Sequence, residues 1–143
     1  MKKYITGSNY FFGGLPGFQP HDIDYMVIED EPEYKHMMNI RGGGIDEFRF
    51  RKKPIDEFID YTLSYGPPMA ICRFLVKEYC EDYNVTIEHL KRLKPLVDRM
   101  DEKHLYLKYI WERYIDHGDF ILTDSERLQA YEIYKSSRVK NNL

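Results

Sequence analysis

Few residues in this sequence could cross-link the chain or anchor it in a membrane. It has only two cysteines, Cys72 and Cys80, which lie eight residues apart in a segment typical of a helix. They are too far apart along such a helix to pair with each other, so we expect free thiols and a reducing compartment. No apolar run approaches the roughly 20 residues of a membrane-spanning helix, and Met1-Lys2-Lys3 is not followed by an apolar signal core. These absences predict a cytoplasmic protein without membrane contact.

A strong net charge is also missing. The 143 residues include 21 basic and 24 acidic side chains, for a formal net charge of -3. Such a balance gives no global field to hold a nucleic-acid backbone, so any polynucleotide contact has to be local. What the chain has instead is aromatic content, with thirteen tyrosines and eight phenylalanines, which argues against disorder.

Strand patterns come first along the chain. We expect four short strands, at residues 3–6, 22–29, 36–40 and 45–51. The first ends at Gly7-Ser8, and the glycine- and proline-rich segment from Asn9 to Pro20 is typical of a loop. Gly42-Gly43-Gly44 separates the last two strands and is typical of a hairpin turn.

Helical patterns follow. After Pro54 the apolar period changes from two to 3.6, and Gly66-Pro67-Pro68 ends the first helix. Further helices are expected over about 69–82, from Thr86 with a disturbance at Pro95, from about Asp101, and from a capping box at Thr123 and Glu126. The predicted fold is α+β: a small mixed β-sheet core at residues 1–66, and a C-terminal helical region at 67–143 packed on it.

Two acids on the second strand are candidates for a metal site. Alternation along a strand places Asp22 and Asp24 on one face, about 6.5–7 Å apart at their Cα atoms. Ile23, Tyr25 and Val27 would then point the other way, into a core. Carboxylates that close repel each other unless a cation lies between them, and Mg²⁺ or Mn²⁺ suits such oxygen ligands.

The order of these features resembles a known superfamily. A strand ending in Gly7-Ser8 is followed, after thirteen residues, by the Asp22-x-Asp24 strand, and a hairpin strand then offers another acid at Asp46 or Glu47. This pattern resembles the nucleotidyltransferase (DNA polymerase β-like) superfamily, in its small predicted nucleotidyltransferase type. The resemblance covers about residues 3–60. It implies that the predicted sheet is a nucleotidyltransferase core.

The resemblance also implies roles for particular residues. Gly7 and Ser8 would bind the phosphates of a nucleoside triphosphate such as ATP. Asp22 and Asp24 would hold the metal, and a third carboxylate would bind a second metal and assist deprotonation of an acceptor hydroxyl. Arg49 and Arg51, in the densest basic cluster, are candidates for phosphate neutralisation.

The third acid is open between two neighbours. If Phe48 and Phe50 point to the core, Glu47 shares the charged face with Arg49, which favours Glu47 as both catalytic residue and metal ligand. Asp46 lies at the mouth of the strand, and a bulge after the three glycines would bring it in instead.

The predicted function is transfer of a nucleoside monophosphate from a nucleoside triphosphate to a hydroxyl acceptor, with Mg²⁺ or Mn²⁺. The acceptor is a small molecule, an RNA end or a protein. One alternative is a catalytically inactive module on the same fold that binds nucleotide or a partner, and a metal-dependent phosphohydrolase is another.

Overall fold

The computed structural model describes residues 1–141 and the side chains of residues 1–138. The chain divides into two compact units, Met1–Pro54 and a second unit that begins at Ile55. The first contains a four-stranded mixed sheet and the second contains helices, which confirms the predicted α+β class. The division lies at Pro54, where the apolar period changes, and not at residue 66, so the first long helix belongs to the second unit.

The sheet is built from four strands, β1 (Lys2–Thr6), β2 (Ile23–Glu29), β3 (Met37–Gly42) and β4 (Ile45–Arg51). Their order across the sheet is β1-β2-β4-β3. β1 runs antiparallel to β2, β2 is parallel to β4, and β3 and β4 form an antiparallel hairpin. Gly43 and Gly44 make its two-residue turn, with φ of +60° and +78°, values that favour glycine.

The sequence predicts a loop after β1, but the first part of this segment is helical. Gly7–Phe12 forms a short helix, α1, and the loop begins at Gly13. Phe11 and Phe12 are both buried, and the Phe12 ring packs edge-on against Phe18 at 5.9 Å between ring centroids. The glycines and prolines that favour turns begin only at Gly13. The residues before it are free to form a helix, which buries Phe11 and Phe12.

The face of β2 that is buried is opposite to the predicted one. Met26 and Ile28 are buried, and by alternation Asp24 shares their face. Of the residues predicted to point into a core, Ile23 is exposed and Tyr25 is half-buried, although Val27 is buried. Asp24 therefore lies at the end of the apolar face and not on a separate polar face.

The second unit contains six α-helices and two 3₁₀ helices among the described residues. The α-helices are α2 (Ile55–Tyr65), α3 (Lys77–Asp82), α4 (Ile87–Arg92), α5 (Lys94–Val97), α6 (Leu105–His117) and α7 (Asp124–Asn141), and the 3₁₀ helices are Pro68–Leu75 and Glu102–His104. Ile71, Phe74, Leu90, Leu96 and Ile110 are among the fully buried side chains of this unit.

Local signals explain several helix ends in this unit. The break between α4 and α5 lies just before Pro95, as predicted. The capping box at α7 is present: the Thr123 amide donates to Glu126 Oε1 at 2.9 Å, and the Glu126 amide donates to Thr123 Oγ1 at 3.1 Å.

Both cysteines, Cys72 and Cys80, are free thiols.

In the part of the chain that the structure describes, no helix combines the length and the apolar character needed to cross a membrane.

Candidate active site

One row of side chains crosses the whole sheet at the end where β2 and β4 begin. The strand register makes Thr6 the partner of Asp24, Asp24 the partner of Asp46, and Asp46 the partner of Arg41. Residues paired in this way point to the same face, and neighbouring strands lie about 4.8 Å apart. The row therefore brings the Asp24 and Asp46 carboxylates together, and it ends on a cation from β3.

The row carries an excess of negative charge. Burial, and next the charges of Asp46 and Asp22, raise the pKa of the Asp24 carboxyl from 3.8 to about 6, while Arg41 opposes the shift. Asp22 lies just before β2 and is exposed, yet its charge still reaches Asp24. The charges of Asp22 and Asp46 thus both act on Asp24, and a further positive charge beside it would relieve this repulsion.

Asp46 is the most enclosed of these acids. It is only 8 % exposed, and its Oδ1 atom is buried without a hydrogen-bond partner. Its other oxygen, Oδ2, lies 3.5 Å from Nε of Arg41. An unsatisfied buried acceptor costs roughly 1–3 kcal/mol, so a cation or a hydrogen-bond donor that reached this oxygen would stabilise it.

Gly7 lies directly against Asp24. It begins α1 with φ of +68°, and a Cβ atom at this position would collide with a carboxylate oxygen of Asp24. Both the backbone conformation and the space therefore require glycine. Ser8 is the next residue of α1 and is half-buried. Gly7 is thus placed beside Asp24, although Gly7 and Ser8 begin a helix instead of forming a turn.

The structure does not place Glu47 with the acids. Glu47 pairs with Tyr25, on the opposite face of the sheet from Asp24. It accepts a hydrogen bond from Lys3 Nζ at 3.1 Å and another from Arg49 Nε at 3.0 Å. The Lys3 hydrogen bond is the main reason that the pKa of Glu47 is lowered. The preference for Glu47 was therefore wrong, and Asp46 is the acid that converges on Asp24.

Arg49 and Arg51 are also not at the row. Arg49 lies on the Glu47 face and pairs with Glu29 as well as Glu47. Arg51 holds the loop before β3: its Nε and Nη2 donate to the Tyr34 carbonyl at 3.2 and 3.0 Å, and Nη2 also donates to the Pro32 carbonyl. Both guanidinium groups are engaged in holding the first unit together, which argues against the predicted phosphate contacts.

Arg41 was not among the residues predicted from the sequence. A signal for it was present, because a two-residue turn at Gly43 and Gly44 pairs Gly42 with Ile45 and Arg41 with Asp46. Counting outward from the turn would have placed an arginine opposite the third acid. The predicted first strand of this hairpin ends at residue 40, and the predicted turn includes Gly42, so the predicted hairpin leaves Arg41 outside the paired residues.

The donor set of the row fits a hard divalent cation in its chemistry. Within residues 1–141, no three or more His, Cys, Asp or Glu side chains are grouped so that they could hold a metal ion by themselves. Mg²⁺ does not need such a group, because one or two carboxylates, water and substrate phosphates complete its coordination. Asp24 and Asp46 provide ligands of that kind, and Oδ1 of Asp46 is a buried oxygen without a hydrogen-bond partner.

No protein-family model, curated protein or solved structure matches this chain. Its function is therefore inferred from the row and from the residues beside it.

Proposed function

We propose that this chain is a metal-dependent nucleotidyltransferase, which transfers a nucleoside monophosphate from a nucleoside triphosphate to a hydroxyl acceptor. The observation that supports this proposal best is the Asp24–Asp46 pair beside Gly7. Two carboxylates from neighbouring parallel strands repel each other, one has a buried oxygen without a hydrogen-bond partner, and a glycine lets the backbone lie directly against the other. Such a pair is suited to a divalent cation that arrives with a polyphosphate.

Asp24 and Asp46, assisted by Asp22, would hold Mg²⁺ or Mn²⁺. When bound, the metal would neutralise the triphosphate and favour departure of pyrophosphate. The repulsion that raises the pKa of Asp24 would be relieved by the same positive charge. Metal binding would therefore gain electrostatic free energy from the relief of repulsion that is present in the unliganded site.

The residues of the chain itself would bind and orient the reactants. Gly7, which makes room for the Asp24 carboxylate, would bring the backbone next to metal-bound phosphates, and the Ser8 hydroxyl would donate to a phosphate oxygen. Asp46 would accept the proton of the acceptor hydroxyl while the oxygen of that hydroxyl attacks the α-phosphorus. The bond from that phosphorus to the pyrophosphate oxygen then breaks, and pyrophosphate leaves with the electron pair.

Catalysis has to be separated from binding alone, because an inactive nucleotide-binding module could use the same acids. The test is release of pyrophosphate from each of the four ribonucleoside triphosphates with Mg²⁺ or Mn²⁺, offered with RNA ends, hydroxyl-rich small molecules and protein acceptors. Wild type should release pyrophosphate with one of these acceptors, and Asp46→Asn should not. Metal-dependent nucleotide binding without any pyrophosphate release would favour the binding module.

The nucleotide binding that both functions need can be tested without knowing the acceptor. Calorimetric titration with nucleoside triphosphate should show binding only when Mg²⁺ or Mn²⁺ is present, and Asp24→Asn with Asp46→Asn should abolish it. If the double variant binds as wild type does, the nucleotide site is elsewhere and the proposal fails. A cytoplasmic setting, where such triphosphates are available, stays part of the proposal.

A further inference from the structure

Arg41 ends the row of side chains that crosses the sheet, and it is unlike the other arginines of the first unit. Its side chain is 70 % exposed, whereas the side chains of Arg49 and Asp46 are largely buried. Arg49 and Arg51 each contact two partners in the first unit. Arg41 makes one ion pair, through Nε, with an N–O distance of 3.5 Å.

This ion pair is weak by its geometry. A distance of 3.5 Å from Nε to Asp46 Oδ2 is longer than that of a charge-assisted hydrogen bond, which is about 2.7–2.9 Å. Exposed pairs of this kind contribute little to stability, because water screens them and the long side chain loses freedom. A guanidinium has five N–H donors in a planar fork, so most of the hydrogen-bonding capacity of Arg41 lies beyond this one contact.

We propose that Arg41 is a phosphate-binding residue, which leaves Asp46 and contacts the polyphosphate when a metal–nucleotide complex enters the site. The inference rests on the proposed nucleotidyltransferase function. Asp46 cannot be fully available to a metal while it is paired with Arg41, and Arg41 has the fork geometry that matches phosphate oxygens. The bound complex offers a new partner to each, a cation for Asp46 and an anion for Arg41.

The exchange gives Arg41 effects of opposite sign on the binding of two ligands. Without nucleotide, Arg41 competes with a metal ion for Asp46, so its removal should leave metal binding unchanged or make it tighter. With a triphosphate, Arg41 supplies a charge-assisted contact, so its removal should weaken binding. A purely structural ion pair would not produce the second effect.

The test compares Arg41→Ala with wild type for three probes: Mn²⁺ alone, inorganic tripolyphosphate with Mg²⁺, and each ribonucleoside triphosphate with Mg²⁺. Tripolyphosphate is included because the preferred base is unknown. We expect Arg41→Ala to bind the triphosphates and tripolyphosphate about 10- to 100-fold more weakly, and Mn²⁺ at least as tightly as wild type. Arg41→Lys should recover part of the affinity, since it keeps the charge and loses the fork.

Arg49→Ala is the matched control, because it removes an arginine from the opposite face of the same sheet. It should leave all three affinities unchanged. Unchanged triphosphate affinity in both Arg41 variants, with wild type binding normally, would overturn the inference about Arg41 and leave the proposed function standing. If wild type itself binds neither triphosphate nor tripolyphosphate with Mg²⁺, the proposed function fails and this inference with it.

Discussion

At the residue scale, the acids of the row are held in an arrangement that is unfavourable without a cation. Asp24 is half-buried, lies beside Asp46 and within reach of Asp22, and has Gly7 against its carboxylate. Burial and like charges both disfavour its ionised form. Residues that bind a cation commonly sacrifice stability in this way, so substitution should stabilise the fold while removing function.

The stability of wild type relative to Asp24→Asn should depend on pH. The folded-state pKa of Asp24 is about 6 and its ordinary value is 3.8, so protonation favours the folded state. This contribution is fully present below pH 4 and is lost as the pH rises through 6. Asp24→Asn lacks this loss, so at pH 8 it should be more stable by about 1–2 kcal/mol, allowing for solvent screening. Urea unfolding between pH 4 and 8 measures the gap, and a gap that does not change with pH would contradict this assignment.

Gly7 offers a test of the close approach to Asp24. Gly7→Ala introduces both a strained positive φ and a collision with the Asp24 carboxylate. Gly14→Ala is the control, because Gly14 has φ of +87° and no atom lies within 4 Å of the position that the alanine methyl group would take. We expect Gly14→Ala to cost about 1 kcal/mol in the free energy of unfolding and Gly7→Ala about 2–4 kcal/mol. Equal costs would mean that the Asp24 contact is easily relieved.

At the element scale, the register of β2 and β4 decides which acid can act. Parallel pairing places Asp46 beside Asp24 and Glu47 beside Tyr25, on opposite faces. The predicted alternation along β4 places Glu47 and Phe50 on opposite faces, and Phe50 is buried as predicted. The predicted orientation of Asp24, away from the core, was wrong, because the end of a strand can carry a polar residue on the same face as its buried residues.

Asp46→Asn and Glu47→Gln should therefore separate catalysis from folding. Asp46→Asn removes the proposed base and metal ligand, so it should lower kcat for pyrophosphate release by about 100-fold or more. Glu47→Gln weakens contacts with Lys3 and Arg49, so it should change kcat less than about twofold and mainly lower the stability of the first unit slightly. The reverse pattern would return the role to Glu47.

At the scale of the whole molecule, the chain joins a sheet unit that carries the acids to a unit made of helices. The helical unit has its own buried core and capped helix ends. Substitutions in the row all lie in the first unit.

Ligand binding should raise the thermal stability of the chain. A ligand that binds only the folded state stabilises it by about 2.7 kcal/mol at a concentration 100 times its Kd. We expect a higher Tm with Mg²⁺ and nucleoside triphosphate together than with either alone, because the acids and the phosphates share the metal. The Asp24→Asn, Asp46→Asn double variant should start from a higher Tm and show no such shift. A shift of equal size in that variant would place the ligand away from the row.

The sequence by itself determined the α+β class, the four strands and the helical character of the residues after Pro54, although the helix predicted over 69–82 is a 3₁₀ helix and a separate α-helix. These follow from local periodicity, glycine and proline positions and helix caps, which act over a few residues. It could not determine which strand face is buried, since alternation sets only the relative orientation of neighbouring residues. Tertiary pairing decided that Asp46 and not Glu47 lies beside Asp24, that Arg41 and not Arg49 faces them, and that Arg49 and Arg51 are engaged elsewhere. The hairpin turn sets the Arg41–Asp46 pairing locally, and the other outcomes depend on contacts between segments that are distant in the chain.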